Sequence, residues 1–309
     1  MLNNWFAQKT KKRRLLGIKI MKRLLKIISF LLIMVFTVGC AKNTDQLTPE
    51  KISDEKSDIT FATKLINNQI ESTNQTDEDL GQNKMKNSSS DTNEKKYYID
   101  TYDFLVKPLD PENTEQIVLL TFDDCVQPEP NSYSLEIARV LQKYEVGAIF
   151  FVNGKHLETE FGRKALKEIS DLGFEIGNHT YSHPYLSDLD YEATREEIVK
   201  VNDQVEEITG KRPKYFRPGF GIIGDYGLQV VQEENMIWTN WTYGYDWEEE
   251  YQEVAALVSI MTDNPYLTNG ANLLMHDRKN TFEALPSIIE GIQNKGYRIV
   301  DPSELTTDY

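Results

Sequence analysis

An α/β fold, with a parallel sheet closing into a barrel, is what residues 98–309 predict, and three observations point there. Short apolar runs alternate with segments of helical periodicity from Tyr97 onward; about seven such alternations follow one another; and the unusual polar residues cluster just after the apolar runs. Strands that alternate with helices pair in parallel, and about seven of them argue for closure into a barrel.

The elements follow in order. "QIVLLTF" (116–122) is a continuous apolar run of buried-strand length, "SLEIARVLQKY" (134–144) has helical spacing, and "GAIFFV" (147–152) is again a strand. A helix near 163–172 leads to a strand at 174–177. A long helix over 190–209 places Ile198, Val201, Val205 and Ile208 on one face and stops at Gly210. Strand-like pieces recur at 214–217, 236–241, 272–275 and 297–300, separated by helices near 226–234, 250–262 and 282–294.

Ahead of this domain the composition changes. The chain carries 34 basic and 49 acidic residues, for a net charge of −15, yet its first 39 residues hold nine of the basic ones and none of the acidic. The remainder, with 25 basic residues against 49 acidic, repels nucleic acid and anionic lipid, so electrostatic partners of those classes are excluded. "MKRLLKIISFLLIMVFTVGC" has a basic start at Met21, the better candidate for the first residue, and an apolar run over 27–38. That run is shorter than the roughly 20 residues a span requires and suits a signal-peptide core. It closes on Cys40 after Thr37, Val38 and Gly39, which resembles a bacterial lipoprotein box. The expectation is a signal segment over 1–39, lipid attached to Cys40, and a domain held outside the cytoplasm; an uncleaved anchor is the alternative and gives the same side. Residues 40–97 are polar with little aromatic content and read as a flexible linker, with a short helix around 61–70 the one exception allowed. At about 5–6 Å × √n, roughly 55 such residues reach about 40 Å. With Cys40 lipidated, Cys125 has no disulfide partner.

Catalytic groups of parallel barrels sit at the C-terminal ends of strands. "TFDD" (121–124), "NHTYSH" (178–183), "FRPGFG" (216–221), "YDW" (245–247) and "LLMHD" (273–277) each follow or end a predicted strand, so they converge in space. One carboxylate with two imidazoles forms a facial set with open positions, suited to a divalent cation that activates water. Asp123 and Asp124 as neighbours in a strand point to opposite sides unless the following turn re-aims one. Taken singly, each has a plain alternative: Asp123 a turn or helix cap, Arg217 a surface ion pair, Trp247 core packing, His276 a structural histidine. His156 matches no motif and reads as a loop residue.

Together, "TFDD", "HTYSH", "RPGFG", "YDW" and "LMH", in this order over 115–309, resemble the polysaccharide deacetylase family, the NodB-homology domain of carbohydrate esterase family four. The resemblance implies a distorted barrel of seven strands and helices, one bound divalent metal, and hydrolysis of N-acetyl groups on aminosugar polymers. Carried over by position, Asp124, His179 and His183 hold the metal, Zn2+ first with Co2+ or Mn2+ as alternatives. Asp123 is the general base and Arg217 its ion-pair partner. His276 is the general acid, tuned by Asp246; Trp247 and Leu274 wall the acetyl methyl, and the backbone N–H of Phe220 faces the developing oxyanion. Four departures stand out: Cys125 and Val126 where glycine and proline are usual, Phe220 for tyrosine, and Tyr243-Gly244 where a further acid is frequent. Cys125 is expected to narrow the site or alter its metal preference, or to offer an oxidisable thiol. The function expected is deacetylation of N-acetylglucosamine or N-acetylmuramic acid in peptidoglycan by a monomer. A non-catalytic glycan-binding protein and an esterase on acetylated xylan are the alternatives.

Overall fold

In chain order the elements are β1 (Tyr97–Ile99), β2 (Val106–Pro108), β3 (Ile117–Cys125), α1 (Ser134–Lys143), β4 (Ile149–Val152), α2 (Glu160–Asp171), β5 (Glu175–Asn178), α3 (Tyr191–Thr209), β6 (Tyr215–Phe216), α4 (Gly224–Glu233), β7 (Ile237–Trp238), α5 (Val254–Thr262), β8 (Ala271–His276), α6 (Lys279–Asn294) and β9 (Arg298–Ile299). The computed structural model describes residues 94–308. The expected signal segment, Met21, Cys40, the helix allowed around 61–70 and nearly all of the expected linker lie outside the described residues.

Every strand from β3 onward pairs in parallel, in the order β7-β6-β5-β4-β3-β8, with β9 joining β3 at Ile117 and Val118. The ring closes without a ladder. Beyond β7, a single bridge between Tyr243 and Leu273 ties the chain to β8, with Thr242 N donating to Asn272 O at 2.8 Å. The barrel is therefore distorted, and its least-paired seam lies beside the segment that carries Asp246.

β3 is the central strand, and its two faces explain where chemistry can occur. Val118, Leu120 and Phe122 point outward and pack with Ile137 and Leu141 of α1 and Leu285, Ile288 and Ile289 of α6. Ile117 and Leu119 point inward to Ile149, Phe151 and Tyr215. Because side chains alternate along a strand, the inward row continues through Thr121 to Asp123. The lumen is thus apolar at its N-terminal end and polar at its C-terminal end. β1 and β2 form an antiparallel hairpin whose Tyr97, Ile99 and Val106 plug the apolar end. This hairpin is a departure from the sequence reading: strands of three residues carry too little alternation to register.

The helices form where capping and periodicity agree. Asp190 accepts from Ala193 N at 2.9 Å at the start of α3, and Gly210 ends it at φ 76°, a conformation a side chain disfavours. Ile198, Val201 and Val205 are its buried stripe, as the spacing predicts. α6 begins three residues before the expected Phe282 and tolerates Pro286 within it. Among the described residues no helix is long and apolar enough to cross a membrane.

Candidate active site

At the polar end of the lumen the strand ladder slips. The β3–β4 register shifts between Phe122 and Cys125, and Asp124 takes φ 56°, a left-handed conformation that costs energy for a residue with a Cβ. Asp123 and Asp124 consequently both line the same cleft, rather than opposite faces of the sheet. Cys125 then turns back into the core, fully buried, with its thiol directed at the Phe122 carbonyl at 3.2 Å. Burial, followed by the negative field of Asp277, pushes that thiol well up. The expectation that Cys125 narrows the site or offers a reactive thiol is overturned, because its side chain packs with the outer cluster.

His179 and His183 come together through a loop, not a helical turn. Thr180 and His183 both have positive φ, 65° and 60°. The bend is held by Asn178, whose Oδ1 accepts from Thr180 N at 2.8 Å while its Nδ2 donates to Ile198 O and Asn202 Oδ1 at 2.8 and 2.7 Å. The Nδ1 of His179 lies 2.8 Å from the Arg217 carbonyl. A carbonyl can only accept, so Nδ1 carries the proton and Nε2 offers a lone pair. That Nε2 is 3.8 Å from Asp124 Oδ1, the Nε2 of His183 is 3.9 Å from the same oxygen, and the three donor atoms all lie within 4.8 Å of one another. Burial, then the neighbouring His179, holds His183 below the usual imidazole range, which favours the neutral, ligating form. One carboxylate and two oriented imidazoles fit a divalent cation with room left for exchangeable oxygen ligands.

Arg217 is fully buried and so is not the surface arginine its position alone allows. Its Nη1 donates to Asp123 Oδ1 and Thr121 Oγ1, both at 2.8 Å, and its Nη2 donates to Asn240 O at 2.9 Å. The guanidinium carbon sits 4.3 Å from the Phe151 ring centroid. Gly177 makes room for that ring, since a Cβ there would fall 2.4 Å from it. The other oxygen of Asp123 is left facing His179 Nε2 at 3.5 Å.

Across β3, Asp123 pairs in register with His276 at the end of β8. Asp246, wholly buried, spans the backbone and the ring of His276: Oδ2 accepts from His276 N at 2.6 Å and Thr281 Oγ1 at 2.6 Å, and Oδ1 faces His276 Nδ1 at 2.7 Å. Burial opposes the charged imidazole, but the hydrogen bond and charge of Asp246 outweigh it and raise the His276 pKa. Asp246→Asn is therefore expected to lower that pKa and move the alkaline limb of any activity requiring protonated His276 to lower pH, measured as kcat/KM against pH.

The cleft, about 390 Å³, brings together the remaining residues read from the sequence: Phe220, Trp247 and Leu274 line it. Trp247 packs edge-on against His276, with centroids 5.2 Å apart. Phe220 sits at φ 57° with half its surface exposed, stacked on Tyr185 at 4.0 Å, and its N–H has no acceptor among the described residues. Trp241 and Arg278 also line the cleft and were not singled out in the sequence; Trp241 reads as a strand residue, and Arg278 lies just beyond the "LLMHD" motif. His156 stays outside, its Nδ1 3.2 Å from Cys125 O. Gly244 explains the unusual fourth motif: a Cβ there would lie 2.3 Å from Leu274 O. Gly244→Ala is expected to cost about 1–3 kcal/mol in urea unfolding, because the obstacle is backbone that cannot rotate away.

The polysaccharide deacetylase profile matches residues 110–237. The chain is 32% identical over 176 residues to the uncharacterized protein YlxY of Bacillus subtilis (strain 168), covering 57% of this chain and 53% of that one, so it spans about half that relative's length. It is 30% identical over 200 residues to a peptidoglycan-N-acetylglucosamine deacetylase of Bacillus cereus, covering 62% of this chain and 89% of the relative. In structure it is similar to a CE4 family pseudoenzyme from Bacillus anthracis, with a TM-score of 0.55 and 26% identity over 62% of this chain and 67% of that one.

Proposed function

We propose that this chain, which belongs to the polysaccharide deacetylase family, hydrolyses N-acetyl groups on an aminosugar polymer, with peptidoglycan N-acetylglucosamine or N-acetylmuramic acid as the substrate. The observation that carries this reading is the juxtaposition, on register-paired strand ends, of a buried carboxylate tied to an arginine and an imidazole tied to a second carboxylate, beside a three-donor cation site. A glycan-binding protein has no need of a base and an acid facing one cleft. The similarity to a pseudoenzyme makes that alternative concrete, and the acid–base pair in this chain argues against it.

Asp124, His179 and His183 would hold the cation, Zn2+ by preference. When bound, it supplies Lewis acidity toward the acetamido carbonyl and toward water. The chain's own residues supply the rest. Asp123 takes a proton from the attacking water, and Arg217 keeps that carboxylate oriented. The Phe220 N–H donates toward the oxygen on which negative charge grows. His276, with Nδ1 turned to Asp246, presents Nε2 to the leaving nitrogen and donates its proton as the C–N bond breaks. Acetate and a free amine are the products. Trp247 and Leu274 bound the space for the methyl group.

Incubating the purified chain with peptidoglycan, chitin oligomers and acetyl-xylan, with acetate measured and the modified unit identified by mass spectrometry, tests the proposal. Acetate from an aminosugar polymer supports it. Retention of the glycan in a pull-down without acetate assigns the chain to the binding class, and acetate from xylan alone to the esterases.

The expected lipid on Cys40 suits a polymer substrate in the wall, because it would hold the domain on the outer side of the membrane within reach of the glycan. Cys40→Ser is expected to move the protein from the membrane fraction to the soluble one; an unchanged partition would contradict lipid anchoring.

A further inference from the structure

Beside the catalytic cleft lies a larger polar groove of about 650 Å³, and Arg278 borders both. The charges around it are accounted for, with one exception. Asp277 is buried and consumed, accepting from Ser132 Oγ at 2.7 Å, Gln127 N at 3.2 Å and Tyr133 N. Lys279 and Glu283 pair at 3.4 Å. Asp124 belongs to the cation site. Arg278, half-buried, makes no ion pair or side-chain hydrogen bond with a described residue.

That is unusual in so acidic a chain. Arg139, Arg163, Arg212, Arg217 and Arg298 each reach a carboxylate. Arg195, which does not, lies on the exposed face of α3, where water solvates it. A half-buried guanidinium at the junction of two substrate-sized spaces, among surplus acids yet paired with none, is placed for an anion that arrives with the ligand. Its planar fork matches a carboxylate.

We propose that Arg278 is a specificity-determining residue that binds a carboxylate of the glycan next to the sugar whose acetamido group occupies the cleft. The inference rests on the deacetylase reading above. In peptidoglycan this carboxylate has two sources: the lactyl ether of muramic acid once its peptide has been removed, and the acidic residues of an attached peptide stem.

The test uses the full chain and three probes: chitin oligomers, which carry no carboxylate; strands with peptides attached; and strands stripped of peptides. Binding by calorimetry and acetate release are both measured for wild type, Arg278→Ala and Arg278→Lys, with thermal melts to show that each variant is folded. The ratio of kcat/KM on a carboxylate-bearing strand to that on chitin oligomer is expected to fall on the order of tenfold in Arg278→Ala, mainly through KM, and to recover in part in Arg278→Lys. A larger loss on stripped strands assigns the carboxylate to the lactyl group, and a larger loss on peptide-bearing strands assigns it to the stem. Equal losses on all three probes overturn the proposal. Absence of acetate from every probe with wild type would instead overturn the deacetylase reading, and the binding ratios would still decide the role of Arg278.

Discussion

Asp123→Asn is expected to lower kcat by about 10²–10⁴-fold, the usual contribution of a positioned general base, while the bound cation is retained. The geometry separates the two outcomes. Asp123 directs one oxygen to Arg217 at 2.8 Å and is not among the three cation-site donors, Asp124, His179 and His183. An asparagine keeps a carbonyl oxygen for Arg217 and loses the basic site. Chelation is expected to abolish acetate release in the wild type, and added zinc, cobalt or manganese to restore it; in Asp123→Asn, restored metal would leave activity low. Metal content by elemental analysis, alongside kcat, distinguishes a lost base from a lost site. A variant active within tenfold of wild type would remove Asp123 from the base role.

Arg217→Met should cost stability on a different scale from most substitutions, about 3–5 kcal/mol, because it strands a buried charge. Asp123 is 2% exposed and Arg217 not at all, and burial already pushes the Arg217 pKa down against the opposing field of Asp123. Methionine fills part of the volume and packs against Phe151, yet it offers no donor to Asp123, Thr121 or the Asn240 carbonyl. Combining it with Asp123→Asn should recover part of the loss, since the orphaned charge is then gone, and the double-mutant cycle in urea unfolding measures that coupling. A single variant costing less than about 1 kcal/mol would show that water reaches the pair and that Arg217 is not the support it is taken to be.

Much of the scaffold was legible because local chemistry and tertiary role coincide. The apolar run of β3 has to be buried on both faces wherever it sits, and α3 declares itself through Asp190, its stripe and Gly210. The residues of the candidate cation site were legible for another reason: five polar clusters at equivalent strand ends have one place in which to meet. The hairpin of β1 and β2 was missed because its strands of three residues are stabilised by the core they cover, not by their own pattern.

Residue types and spacing determined by themselves that this chain builds a parallel barrel and gathers aspartates, histidines and an arginine at one rim; the roles expected of them came from the resemblance to a family. Only the tertiary structure decided where those side chains point. The slipped register at Asp124, the left-handed bends at Thr180 and His183, the packing of Cys125 into the outer cluster, the burial of Arg217 and the isolation of Arg278 all depend on contacts between segments distant in sequence. Direction is a property of packing: a strand's alternation states which residues share a face, and a bulge or a positive φ, stable only against its neighbours, resets it.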